Sequence, residues 1–485
     1  MSMDTFANRL ARNIRTISYD GLSQLARNRA VIGIVDTIGV TLAGSTEDCV
    51  TILTETPGIA DAEGPAALIG GTRRVSMLDA ALINGTASHA LDYDDFSSDF
   101  GGHQSVPLVA PLFALAEAEG KSGRDLVAAY AAGVETEIRL ARAVHWHHYD
   151  LGWHPTATLG TIAAAGACAH LMGLDEGRIA TALCIAVSES AGLKANFGSM
   201  TKPLHVGRAC QAGLLAALLA RQGFTARDSA FEHAQGFFEV FNGTGNYDAE
   251  KVFENWAAPH ELENDGLALK LWPCCGSTHA AIAAALDLRK EEGLIAGNIE
   301  RIEVFPHPRR LKHTDTPHPQ TSLQGKFSVQ YVVARALNDG AVRLADFDPE
   351  AIAEPEISHL LDRLEAKPHP EMKDTAEKQW SAEVRVRTKD GRILSKRIDE
   401  FTSDPRVMPD SVSALEEKFE DCARLVLNED DIFLLFERME TFESITDMKA
   451  AGRMLLVHRK RETPGKIAAA TGEDADRLAE THWVP

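Results

Sequence analysis

The sequence contains no apolar run of the order of eighteen residues, so a membrane-spanning helix is not expected. It has no Cys-x-x-Cys pair. Its seven cysteines, Cys49, Cys168, Cys184, Cys210, Cys274, Cys275 and Cys422, are odd in number and widely spaced. Several fall in apolar helical patterns, where a free thiol behaves as a small hydrophobe. That excludes zinc-type cysteine ligation and a disulfide framework, and it implies a reducing compartment. Positive charge is scarce: 49 Lys and Arg stand against 70 Asp and Glu, for a net charge of −21. Such a balance opposes non-specific binding to nucleic acid or to an anionic membrane surface. A pocket for an anion must then bring its own cluster of Lys, Arg or His. P-loop spacing is absent. The N-terminal MSMDTFANRLARNIR has no apolar core of signal-peptide length, and Asp4 argues against a transit peptide. A cytoplasmic location is the expectation.

Strand-type alternation is also nearly absent before about residue 270, and helical periodicity takes its place. Asn28–Gly44 is apolar almost all round, which places it deep in a core. Met77–Ala90, Val106–Ala118, Arg124–His145, Thr156–Met172, Glu176–Ser190 and Val206–Arg221 read as further helices rich in small residues. After Lys270 the character changes. Ser277–Glu292 and Phe327–Asn338 read as helices, whereas Ile299–Phe305, Glu383–Thr388 and Ile393–Ile398 alternate as strands. Asp390-Gly391 between the last two is a hairpin signal. Helix returns at Ser411–Leu427, Asp430–Thr441 and around Met448. The predicted fold is mainly α: a large, discontinuous all-helical domain (1–269 and 404–485) and a smaller α+β lid domain with an antiparallel sheet (270–403). A chain of 485 residues is long enough for both.

The densest chemistry lies in Ser88–Ser105, SHALDYDDFSSDFGGHQS. It packs four carboxylates (Asp92, Asp94, Asp95, Asp99) and two imidazoles (His89, His103) into one stretch. A run of acids after a helix is usually a solvated face. Here Leu91, Tyr93 and Phe96 interrupt it, which argues for half-burial, and buried acid beside imidazole is an arrangement that makes proton donors and acceptors. Gly101-Gly102 breaks the chain just before His103.

Four more clusters carry polar groups at helix starts. His154 stands at a loop-to-helix junction in GWHPTAT. Lys202 opens a helix in GSMTKPLH and suits a carboxylate as a compact point charge. Lys270 leads LWPCCGSTH, where clefts between domains form and where Cys274 or Cys275 offers a thiol. Tyr331 lies one turn into the helix begun by KFSVQY; a core tyrosine is the plainer reading. His145-Trp146-His147-His148 and the loop histidines His307, His313 and His318 look metal-like, but no carboxylate follows at ligand spacing, and no metal is expected.

Taken in order, NGTASHALDYDD, GWHPTATLG, GSMTKPLHVGRA, KLWPCCGSTHAA and GKFSVQY resemble the MmgE/PrpD family, over about residues 29–340. That family includes 2-methylcitrate dehydratase, cis-aconitate decarboxylase and iminodisuccinate epimerase. The resemblance implies a helical domain with an α+β lid, a homodimer, a site in the cleft between the domains, and no cofactor. It implies a small di- or tricarboxylate substrate. Carried onto this chain, Asp92, His103, His154, Lys202 and Lys270 fall on active-site positions and Tyr331 on one near the site; Asp92, His103, His154 and Lys202 are the expected catalytic residues, and Lys270, Cys275, His279 and Tyr331 the expected substrate-binding ones. Gln104 stands where the family usually has proline, and two further positions depart from the pattern. Cys275 stands where animal cis-aconitate decarboxylases have histidine, and Phe96 where many members have threonine. Both departures weigh against decarboxylation.

The expected mechanism is acid–base catalysis. Lys202, Lys270 and helix N-terminal amides would neutralise the carboxylates, and His103 or His154 would take the proton alpha to one of them. The other histidine, or protonated Asp92, would protonate a leaving hydroxyl. Dehydration of a substrate such as 2-methylcitrate is the favoured outcome, with decarboxylation and epimerisation as alternatives on the same residues. A non-catalytic carboxylate-binding dimer is the alternative of another class; the acid–imidazole stretch argues against it, because binding needs only cations and amides.

Overall fold

The structure, a computed structural model, describes residues 4–264, 267–373, 380–399 and 411–457. It divides into two compact units, Met1–Leu269 with Val412–Thr471, and Lys270–Ser411 with Gly472–Pro485. Of the helical return expected over 404–485, residues 404–410 and 458–485 lie outside the described residues.

The first unit is built of helices: α1 (Phe6–Thr16), α2 (Gln24–Gly44), α3 (Asp48–Glu55), α4 (Met77–His89), α5 (Val106–Glu119), α6 (Gly123–Asp150), α7 (Pro155–Leu171), α8 (Glu176–Glu189) and α9 (Thr201–Arg221). A two-residue hairpin, β1 (Ala66–Ala67) and β2 (Arg74–Val75), lies between α3 and α4. Helices Phe237–Asn242, Ser411–Ala423, Glu429–Glu440 and Met448–Met454 also belong to the unit. Ser76 caps α4 through the Asp79 amide at 3.1 Å. Ser122 and Asp125 form a capping box on α6. Among the described residues no single helix is long and apolar enough to cross a membrane.

Helices α4, α5 and α7 are buried on nearly every side and α9 along one face, and small residues let their backbones touch. A Cβ on Gly207 of α9 would lie 2.3 Å from the Leu82 carbonyl oxygen of α4. A Cβ on Gly213 would lie 2.5 Å from Ala164 Cβ of α7. Both approaches are too close for any side chain, so glycine fixes the spacing. The same contacts fix the ends. The C-terminus of α4 and the N-termini of α7 and α9 come together at one end of the bundle. Pro111 inside α5 has no N–H for the Pro107 carbonyl, and the Cys210 thiol of α9 donates to that oxygen at 3.6 Å.

In the second unit, β3 (Ile299–Pro306), β4 (Leu364–Ala366), β5 (Ala382–Thr388) and β6 (Ile393–Ile398) form one sheet in the order β4-β3-β5-β6. The expected strands pair antiparallel, and Gly391 turns the β5–β6 hairpin at φ 89°. The added edge strand β4 runs parallel to β3, so the sheet is mixed. Three residues are too few to show alternation in the sequence. Helices His279–Glu292 and Val329–Asp339 cover the sheet in a core that includes Ile282, Val304, Val333 and Val384.

Replacing Gly213 by valine should destabilise the helical unit by about 1–3 kcal/mol, because an overpacked contact forces the two backbones apart. Gly297→Ala, at a position with nothing within 4 Å of a new Cβ, should cost far less. Denaturant midpoints of the two variants measure the difference.

Candidate active site

The end of the bundle where α4, α7 and α9 meet carries three of the imidazoles singled out above, His89, His103 and His154. His89 is the last residue of α4, His154 is the N-cap of α7, and Lys202 and His205 lie in the first turns of α9. A lysine in the first turn opposes the helix dipole, a placement with an electrostatic cost and an evident use: it adds to the positive field already present there.

The segment after α4 reverses sharply. Asp92 has φ +53°, a left-handed conformation that aspartate tolerates better than most residues. The turn sends Asp92 and Asp94 to the same side. Asp94 is buried and shared by two imidazoles: His89 Nδ1 lies 2.9 Å from Oδ2, and His103 Nδ1 lies 2.8 Å from the same oxygen. Asp92 Oδ1 accepts from Lys202 Nζ at 2.7 Å and lies 3.5 Å from His103 Nε2. His103 therefore stands between two carboxylates, one of them paired with a lysine. Its backbone amide donates to Thr156 Oγ1 at 3.0 Å, which ties the loop to the first turn of α7.

His89 packs edge-on against His103 and stacks on His154, with ring centroids 4.6 Å and 5.8 Å apart. His154 Nδ1 lies 3.3 Å from His205 Nδ1. Two neutral rings share such a contact only if one donates N–H and the other offers a lone pair. Gly192 backs the pair: a Cβ there would lie 3.5 Å from both His154 Cβ and His205 Cγ, and 2.9 Å from Ala157 Cβ. Phe197 meets His154 edge-on at 4.9 Å and has Lys202 Nζ 5.2 Å from its ring centre.

Burial sets the protonation states. It pushes His89 down to about 4 against the pull of Asp94. Burial, then His89 and Lys202, hold His154 well below the ordinary imidazole value. Burial and Lys202 lower His205. Burial alone would raise Asp94, yet His103 and His89 hold it well below the usual carboxylate range. Asp94 thus stays charged, while burial keeps His89, His154 and His205 below the ordinary imidazole value.

The other acids of the stretch serve the loop. Asp95 Oδ2 accepts from Ser105 Oγ at 2.5 Å, and Ser105 Oγ lies 2.6 Å from Tyr130 OH, so both ends of the loop are joined in the core. Burial, then Asp36, raise Asp95 well above its ordinary value. Asp99 pairs with Arg142 at 2.8 Å. His147 and His148 bond Asn242, and His148 also lies 2.7 Å from Thr158 Oγ1, so these two serve packing. His145 sits at a kink in α6 with φ 52°.

His89, Asp92, Asp94 and His103 present ligand atoms within 4.8 Å of one another, a spacing a metal ion could use. In this arrangement the Lys202 ammonium supplies the cation to Asp92, and both imidazoles turn Nδ1 to Asp94. The remaining predicted residues belong to the second unit. Lys270 and Cys275 are buried, and the Cys275 amide donates to Lys326 O at 2.9 Å. His279 is fully buried, with its ring edge-on to Trp272 at 5.1 Å. Tyr331 is fully buried; its hydroxyl donates to the Asp346 carbonyl and accepts from Arg335 Nε at 3.0 Å. Burial pushes the neighbouring Cys274 thiol up to about 12, which leaves it unreactive at neutral pH. Of the sequence-predicted residues, Asp92, His103, His154 and Lys202 come together. His89, Asp94 and His205 join them without having been picked out as site residues.

Comparison with known proteins matches the MmgE/PrpD N-terminal domain over residues 8–250 and the MmgE/PrpD C-terminal domain over 272–439. Cis-aconitate decarboxylase of Homo sapiens is 28% identical over 480 residues, 97% of this chain and 97% of that protein. Cis-aconitate decarboxylase of Aspergillus terreus is 27% identical over 370 residues, 71% of this chain and 75% of its own. 2-Methylcitrate dehydratase of Cupriavidus necator is 25% identical over 429 residues, 83% and 86% respectively.

The state of His89 has a measurable consequence. Between its unfolded value near 6.5 and its folded value of about 4, the unfolded chain binds a proton that the folded chain does not. Stability therefore falls on acidification through that window, by about 1.4 kcal/mol per pH unit for this one group. His89→Gln should flatten the slope of unfolding free energy against pH by that amount.

Proposed function

The chain belongs to the MmgE/PrpD family, and we propose that it is a lyase that decarboxylates cis-aconitate or a close tricarboxylate analogue. The observation that carries the reading is the convergence of Lys202, Asp92, His103 and His154 at one end of a rigid helical bundle. The choice of reaction rests on the relatives. The dehydratase favoured from the sequence is replaced here by its alternative, because the cis-aconitate decarboxylase likeness extends along nearly the whole chain at higher identity than the dehydratase likeness. The Phe96 departure also loses weight. Its backbone bonds Ala268 in both directions, at 3.0 and 2.9 Å, a role that any side chain permits.

Decarboxylation of cis-aconitate breaks the bond between its methylene carbon and one carboxylate. The released pair forms a new double bond to the central carbon. The old double bond moves its pair to the far carbon, which needs one proton. The products are carbon dioxide and a methylene dicarboxylate, and one proton is consumed. Charge builds next to a remaining carboxylate, where a fixed ammonium such as Lys202 stabilises it; losing a donor of this kind typically costs about 10²–10³ in turnover. His103 or His154 supplies the proton. His154 rests neutral because burial and Lys202 disfavour its charged form. A bound trianion reverses the local sign and favours the imidazolium that can donate. Asp94 orients His103 through its Nδ1 and leaves Nε2 for the substrate side.

Purified protein mixed with cis-aconitate, citrate and 2-methylcitrate tests this. Carbon dioxide release from cis-aconitate, with one proton taken up per turnover, is the expected result. Dehydration of 2-methylcitrate without net proton uptake would overturn it. Lys202→Ala and His103→Ala should each lose about 10²–10³-fold in kcat while remaining folded.

A further inference from the structure

The loop that carries Asp92 and Asp94 is held from below by a residue more than three hundred positions away (Lys418 to Tyr93, a separation of 325 residues). Lys418 lies in the helix Ser411–Ala423, and only 4% of it is exposed. Its Nζ donates to the Tyr93 carbonyl at 2.8 Å, between the two site aspartates. It pairs with Asp36 Oδ1 of α2 at 2.5 Å and stands 4.2 Å from the centre of the Tyr93 ring. The approach is built in: a Cβ on Gly39, one turn beyond Asp36, would lie 3.0 Å from Phe419 Cδ2 and 3.6 Å from Phe419 Cα. The helix thus sits directly on α2.

A buried ammonium on a backbone carbonyl is an unusual anchor. Surface lysines leave such carbonyls to water, and a lysine is rarely buried without a paired acid. Here the acid is present and fixed, so Lys418 has one geometry available to it. The carbonyl it fixes follows Asp92, the residue whose left-handed backbone turns the loop. Strained residues persist when their surroundings over-determine them.

We propose that Lys418 is a positioning residue for the reaction: through the Tyr93 carbonyl it holds Asp92 and Asp94 in register with Lys202 and His103. This rests on the decarboxylase reading for its substrate, but not for its test.

Lys418→Met alone strands the Asp36 carboxylate and risks the fold. The informative variant is therefore Asp36→Asn with Lys418→Met, which removes both charges and keeps the volume. Two readouts are taken on full-length protein whose helicity and cooperative unfolding match the wild type. Hydrogen–deuterium exchange of peptides covering residues 92–105 should accelerate. With cis-aconitate, kcat should fall by about 10²-fold, the scale of a misplacement of about 1 Å, with KM little changed because Lys202 is untouched. Lys418→Arg, which keeps the charge and donors, should recover part of kcat. A folded double variant with wild-type kcat overturns the proposal, as does wild-type exchange in the loop. If the wild type turns over none of the acids, the decarboxylase reading fails and the exchange measurement still decides whether Lys418 holds the loop.

Discussion

Contact between helix backbones is the constraint on which the site depends. Gly207 against Leu82 and Gly213 against Ala164 bring α9 to α4 and α7 at distances that admit no side chain. Those contacts lie within a few turns of His89, His154, Lys202 and His205. A site made of helix ends inherits its accuracy from the packing behind it, because close-packed interiors yield little. The loop Asp92–Ser105 supplies the rest, and it too is pinned: at Ser105 to Asp95, at His103 to Thr156, and at Tyr93 to Lys418.

Charge explains why such pinning is needed. The chain carries a large negative excess, yet in the proposed reaction a polyanionic substrate must be drawn to one place on it. The site answers with one ammonium, the imidazoles of His89, His154 and His205 held neutral by burial, and two carboxylates already engaged. Asp92 and Asp94 stand against Lys202, His89 and His103, so their charges are answered before substrate arrives. The surplus that remains for a ligand is the capacity of His154 to gain a proton once a negative partner offsets its burial. A preorganised arrangement of that kind avoids the cost of reorganising dipoles during reaction.

The mainly α architecture was legible because periodicity in long, small-residue helices is strong, and the observed α4, α5, α7 and α8 lie within one or two residues of the expected spans. The long Gly123–Asp150 helix runs past the expected end at His145, where its backbone leaves helical geometry before resuming. The parallel strand Leu364–Ala366 gave no pattern to read. In the site, the acid–imidazole stretch was visible, but which acids face the imidazoles was not. Alternation assigns Asp92 and Asp94 to one face of an extended chain; the left-handed turn at Asp92 and the ties of Asp95 and Asp99 to Ser105 and Arg142 are three-dimensional facts. Lys418 sits among Glu416, Glu417 and Glu420 and reads as a solvated face. Its one sequence signal is that it shares the apolar stripe of Leu415, Phe419 and Cys422, all buried.

That last placement bears on how the chain matures. Everything that touches substrate in the proposed reaction's helical unit has left the ribosome by His205, but the peg beneath Tyr93 is still roughly two hundred residues from being made. An emerging polypeptide can collapse α4, α7 and α9 onto one another, since those contacts need nothing later in the sequence. Its loop then carries the Ser105 and Thr156 ties but gains the one at Tyr93 only when Lys418 is made. On the proposed role of Lys418, a fragment truncated ahead of it keeps the groups of the site but lacks the tie that aligns Asp92 and Asp94.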